Sequence, residues 1–155
     1  MKKMIDEQGS IGIAGEFFVA AELTRKGFAA SLTGKNTKTI DILASNKDGS
    51  RSIAIQVKTC NSQKHDRWKM SESSEKIFSD NLYYVLVNLH EGDKPCYYFV
   101  PSEIVANRIA EKHKTWLETP GKKGQKHNNT TMRVFVFDDE AEKNKYNQAW
   151  EEFMI

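Results

Sequence analysis

Cysteine is scarce in this sequence. Cys60 and Cys96 are its two cysteines in 155 residues, too few for a disulfide framework. Two free thiols fit a reducing compartment. The four histidines, His65, His90, His113 and His127, lie far apart, and none stands at zinc-ligand spacing from a cysteine, so no zinc site is expected. No segment approaches the ~20 apolar residues of a membrane span. The opening "MKKMIDEQGS" has no apolar leader core. The expectation is a cytoplasmic protein with no membrane partner. Internal repeats and obvious linkers are missing too, which predicts one domain over residues 1–155. Excess charge is also missing. The net charge of +2 is too small to point to a polyanionic partner by itself.

The rest of the composition is that of an ordinary folded chain, with 39% hydrophobic and 28% charged residues. Ser10 suits the N-cap of a helix running to about Lys26, and Gly27 suits its C-terminal stop. "FAASLT" reads as a short strand. "TIDILAS" and "RSIAIQVKT" read as a hairpin about "NKDG". Residues 61–81 are polar and read as loop with a short helix. "LYYVLVNL" is a continuous apolar run, hence a buried strand, and "CYYFVP" a further strand. "SEIVANRIAEKHK" has helical spacing, "ETPGKKGQKHNNT" reads as loop, "MRVFVF" as extended, and "DDEAEKNKYNQAWEEFM" as a helix opened by acids. The order predicts an α/β fold, a mixed sheet with helices against it.

The hairpin breaks its own pattern. Asp41 interrupts Ile40 and Ile42, and Gln56 and Lys58 interrupt Ile53, Ile55 and Val57. Residues two apart on a strand share a face. A tight turn with Asp48-Gly49 at its centre sets Asp41 opposite Gln56, with Cβ atoms ~5 Å apart, and Lys58 one pleat further on. A carboxylate and an amide oxygen can hold a hard cation that keeps waters in its other positions. Such an ion acts on phosphodiesters, and a neighbouring lysine can orient water or stabilise transition-state charge.

Here the sequence resembles the PD-(D/E)xK nuclease superfamily and its restriction-endonuclease-like fold, in particular small Holliday-junction-resolvase-like and uncharacterised bacterial branches. The pieces that carry the resemblance are "GEFFVAAELTRKGF", "TIDILA", "IAIQVKT", "NLYYVLVNL" and "CYYFVPSEI", over about residues 11–105. It implies a mixed central sheet flanked by helices, with an N-terminal helix and then a strand hairpin. It implies Mg²⁺- or Mn²⁺-dependent phosphodiester hydrolysis of nucleic acid, DNA foremost, and a homodimer. Its catalytic set falls on Glu16, Asp41, Gln56 and Lys58. Its metal donors fall on Asp41, Gln56, the Val57 carbonyl and Glu16. Two positions depart from the motif: Ile40 stands where proline is usual, and Gln56 replaces an acid. Gln56 is the feature that favours an alternative, a catalytically weakened nuclease-fold module that binds nucleic acid or a protein partner, as in defence or toxin-immunity systems.

Charge is unevenly spread. Residues 112–126 hold five lysines and one acid, Glu118, whereas the chain turns acidic after Arg133. Lys35, Lys38, Lys114, Lys122, Lys123 and Lys126 are the candidate phosphate contacts; a solvated surface is the ordinary role of such residues. Trp68, Trp116 and Trp150 read first as packing residues. Trp116, next to Lys112, His113 and Lys114, could also stack on a base.

Overall fold

In a computed structural model the chain is described over residues 7–34 and 37–154. Helix α1 (Glu7–Arg25) leads into strands β1 (Ala29–Leu32), β2 (Ile42–Ser45) and β3 (Ser52–Cys60). Then follow β4 (Trp68–Ser71), β5 (Leu82–Asn88), β6 (Cys96–Pro101) and helix α2 (Ser102–Glu118). Strand β7 (Met132–Phe135) and helices α3 (Glu140–Tyr146) and α4 (Trp150–Met154) complete it. Strands β1-β2-β3-β5-β6 form a mixed sheet, parallel between β3 and β5 and antiparallel elsewhere. The fold is mixed α/β, with the N-terminal helix and strand hairpin in the expected order.

Each face of the sheet buries its own core. Ile53, Ile55 and Val57 of β3, with Val85, Val87 and Phe99, pack under Val19 and Leu23 of α1 and Trp150 of α4. The alternate residues Tyr84, Leu86, Tyr98 and Val100 pack under Val105 and Ile109 of α2 and under the β4-β7 ribbon, through Trp68 and Phe135. Burial on both sides explains why β5 reads as an unbroken apolar run.

Three local expectations change. Helix α1 already includes Glu7, so Ser10 is an interior residue and not its N-cap. Its end is as the glycine suggested: Gly27 has φ +90°, Gly27 N–H donates to Thr24 and Phe28 N–H to Leu23, a Schellman stop. The polar stretch 61–81 contains strand β4, which pairs antiparallel with β7 from the far end of the chain. The last helix is broken in two, because Asn147 bridges to Tyr98 and Gln148 N–H donates to the Tyr97 carbonyl at 2.9 Å.

Candidate active site

The β2-β3 register sets Ile42 against Ile55 and Ser45 against Ser52, the alignment expected from the sequence, and it holds as far as Ile42. The turn that produces it is longer than two residues. Asn46 N–H donates to Arg51 O (3.1 Å), and Gly49 N–H donates to Asn46 O (3.1 Å). Lys47 and Asp48 are thus the central turn residues, with Gly49 at φ +70°. A loop of even length centred on the same point keeps the same register.

At Asp41 the ladder changes character. Ile55 is the partner of Ile42, yet the Ile55 carbonyl accepts the N–H of Asp41 at 2.9 Å. The strand has stepped aside by one residue, as at a bulge. The next donor of β3, Val57 N–H, is taken by the Asp41 carboxylate, with Oδ2 at 2.7 Å. A side chain thus stands in for the missing backbone carbonyl. Thr33 holds the other side, its N–H donating to Asp41 O at 2.9 Å and its hydroxyl to Ile40 O. These bonds leave Asp41 Oδ1 with no hydrogen-bond partner among the described residues.

The neighbours come from both faces of the sheet. Gln56 and Lys58 stand in register with Tyr84 and Leu86, hence on the α2 face. Glu16 arrives from α1, which covers the other face. The groups meet at the margin where β2 ends, not on one face. Alternation along β3 also turns the Val57 carbonyl toward this margin, because Ala54 N–H is directed to Asn81 of the β5 side and Ile55 O to Asp41.

Electrostatics ties Glu16 to Asp41. Burial raises the pKa of Asp41, and the Val57 N–H and the Lys58 ammonium only partly offset it. The Glu16 carboxyl is also raised, by burial first and then by the charge of Asp41. A carboxylate whose proton affinity is raised by a neighbouring carboxylate marks a place where a cation is stabilised. Among the described residues no three His, Cys, Asp or Glu side chains gather into a metal site. The candidate donors are two carboxylates, the Gln56 amide oxygen and the Val57 carbonyl. They fit a hard divalent ion that keeps waters in its coordination sphere and are too few for a closed protein cage. Gln56 is buried, at 8% exposure, while Glu16, Asp41 and Lys58 are half-buried.

Tyr84 is a residue that the sequence pattern does not single out. It is fully buried as the register partner of Gln56, and its hydroxyl has no hydrogen-bond partner among the described residues. Burial raises its pKa and Asp41 adds to this; the Ser74 hydroxyl opposes it from nearby without reaching hydrogen-bond geometry. In the sequence Tyr84 is one aromatic in an apolar run, so no local signal marks it.

The candidate phosphate contacts are more scattered. Lys38 is exposed three residues before Asp41. Lys114, Lys122, Lys123 and Lys126 are exposed at the end of α2 and on the following loop, beyond the layer that covers the Gln56 and Lys58 face. Lys35 lies outside the described residues.

The sequence matches no protein-family model and no curated protein. The fold does match solved structures. A bacterial homing endonuclease, I-Ssp6803I, aligns over 95% of this chain and 91% of its own, with TM-score 0.55 and 13% identity. The chain has the restriction-endonuclease-like fold. Hjc, a Holliday junction resolvase from Archaeoglobus fulgidus, aligns over 86% of this chain and 88% of its own, with TM-score 0.48 and 17% identity. Within this fold, Glu16, Asp41, Gln56 and Lys58 come from α1 and the β2-β3 hairpin. No helix among the described residues is long and apolar enough to cross a membrane.

Proposed function

We propose that this chain is a metal-dependent nuclease that hydrolyses phosphodiester bonds in nucleic acid, with DNA as its first candidate substrate. The observation that supports this reading is the Asp41 carboxylate, clamped by Val57 N–H at 2.7 Å, with its other oxygen unbonded among the described residues and with Glu16 and Lys58 as electrostatic neighbours. Asp41, the Gln56 amide oxygen and the Val57 carbonyl would hold Mg²⁺ or Mn²⁺, with Glu16 acting through water. An ion held there supplies Lewis acidity toward a phosphoryl oxygen and a more acidic water. Lys58 orients the attacking water and stabilises the charge that develops on the phosphoryl oxygens. Water forms the new P–O bond, one P–O ester bond breaks, and the leaving alkoxide is protonated from solvent. Glu16, Asp41 and Lys58 are partly exposed, so the site reads as a shelf within reach of a polymer substrate.

Gln56 supports a second reading. A neutral side chain at 8% exposure gives the shelf one negative charge fewer than an acid would, and a weakened module that binds nucleic acid or a protein partner follows from that. Incubation with a panel of DNA and RNA substrates with and without Mg²⁺ or Mn²⁺ separates the two. Metal-dependent cleavage that is lost in Lys58→Ala supports the nuclease. Cleavage that survives Lys58→Ala, or no cleavage of any substrate, removes it in favour of the binding module.

A further inference from the structure

Two of the three tryptophans are core residues: Trp68 is 0% exposed and Trp150 1%. Trp116 is 41% exposed, although two histidine rings hold it in place. Its indole stacks on the His127 ring at 4.1 Å and 22°, and on the His113 ring at 5.5 Å and 29°. His113 is fixed in turn by a 2.8 Å hydrogen bond to Asn129. A three-ring stack therefore ties residues 119–131 back to α2.

Beside the stack lies a cavity of about 290 Å³. Met132, Val134 and Val136 supply an apolar wall, Trp116 and His113 an aromatic one, and Arg67, Lys112 and Arg133 are its cations, Arg133 being buried in an ion pair with Glu75. Among the described residues no carboxylate lines it. Lys112 is paired with Asp138 at 2.9 Å, but the Arg67 guanidinium forms no ion pair among the described residues. Lys114, Lys122, Lys123 and Lys126 are exposed nearby along the chain. A residue that served packing alone would be covered as Trp68 and Trp150 are. This one presents its indole to a small, cation-rimmed space.

We propose that the cavity receives one unpaired nucleobase of a single-stranded segment, whose flanking phosphates are met by Arg67 and the lysines of residues 114–126. The volume suits one base and sugar. A flat apolar ring with attached negative charge is the ligand that an aromatic and aliphatic wall with a basic rim complements. A paired base cannot enter, because it is already stacked within its duplex. The inference rests on the proposed function for its ligand class, nucleic acid, but not on catalysis.

The test needs no cleavage and is run with chelator present. An oligothymidylate of about ten nucleotides, an abasic strand of the same length and a duplex are titrated into the whole chain. Acrylamide quenching then reports Trp116, since the other two indoles are buried. The expected result is that oligothymidylate shields Trp116 while the abasic strand and the duplex do not. Trp116→Leu should weaken oligothymidylate binding about 5- to 100-fold and leave abasic-strand binding unchanged. Val134→Phe, which fills the cavity and leaves the stack intact, should weaken the same ligand alone. Equal shielding by the abasic strand or the duplex, or unchanged oligothymidylate affinity in both variants with an unchanged Tm, overturns the proposal. Protein that passes this test yet cleaves nothing refutes the nuclease and keeps the base pocket; an active nuclease that fails it does the reverse.

Discussion

Gly15 lies against Thr59 so closely that a methyl group in place of its hydrogen would overlap the threonine side chain. This contact sets the height of α1 above β3, and the next residue on the helix is Glu16. A β-branched strand residue has little room to yield. Gly15→Ala should therefore cost about 1–3 kcal/mol from overpacking, offset by about 1 kcal/mol of helix propensity, and should lift Glu16 away from Asp41. Thr59→Ala in the same chain removes the overlap, together with a buried hydroxyl that has no partner among the described residues. Thermal unfolding of the single and double variants checks this. A double variant no more stable than Gly15→Ala would show that the contact is not what places the helix.

Gln56 decides how much charge the shelf presents to a cation. Gln56→Glu should tighten Mg²⁺ or Mn²⁺ binding, since it adds a carboxylate of nearly the same length. Without metal it should destabilise the chain, because the new charge is buried beside Asp41 and Glu16. Asp41→Asn should weaken metal binding. Calorimetric titration together with unfolding curves reads both effects. Metal affinity that moves in neither variant would leave the polar margin as a purely structural feature.

Two ion pairs at the other end of the molecule make stability depend on acid. Burial pushes the Asp66 carboxyl up, but Lys143 and Asn88 together outweigh it and leave its pKa lowered. Glu142 is lowered by Arg108, which it meets at 2.6 Å between α2 and α3. A lowered folded-state pKa contributes stability that is fully present above the unfolded value, about 3.9 for Asp and about 4.3 for Glu. That contribution is lost as pH falls from there through the lower folded value. Lys143→Ala should therefore cost about 1 kcal/mol near neutrality and less at about pH 2, below the unfolded value of about 3.9. Denaturant midpoints at the two pH values test this; an equal cost at both would mean that Lys143 acts through packing.

The loop lysines should act on affinity through phosphates. Replacing Lys122, Lys123 and Lys126 together by alanine should weaken nucleic-acid binding. It should also flatten the salt dependence by about 0.7–0.9 in log–log slope for each phosphate no longer neutralised. Fluorescence anisotropy at several salt concentrations measures the slope. Binding of the parent chain that stays constant between about 50 and about 200 mM salt would favour a protein partner.

The hairpin was legible because its information is local. Strand alternation and a turn of even length determine the β2-β3 register as far as Ile42 and Ile55, and that Gln56 and Lys58 share a face, whichever residues occupy the turn. The same holds for β5 and β6, whose apolar runs need two covered faces, and for the glycine stop of α1. What tertiary structure alone decided lies between residues distant in the chain. "WKMS" carries little strand signal in a polar stretch and becomes β4 only because β7 offers it a partner some sixty residues later. Trp116 meets His127 because the loop folds back on α2. Gln148 breaks the last helix because the Tyr97 carbonyl needs a donor. The meeting of Glu16 with Asp41 is of this kind as well. Periodicity placed each on its own element, but α1 covers one face of the sheet while Asp41 stands at the end of a strand within it. The two carboxylates converge because β2 stops short, Asp41 turns its side chain to Val57 N–H in place of a backbone carbonyl, and Gly15 lets the helix come close.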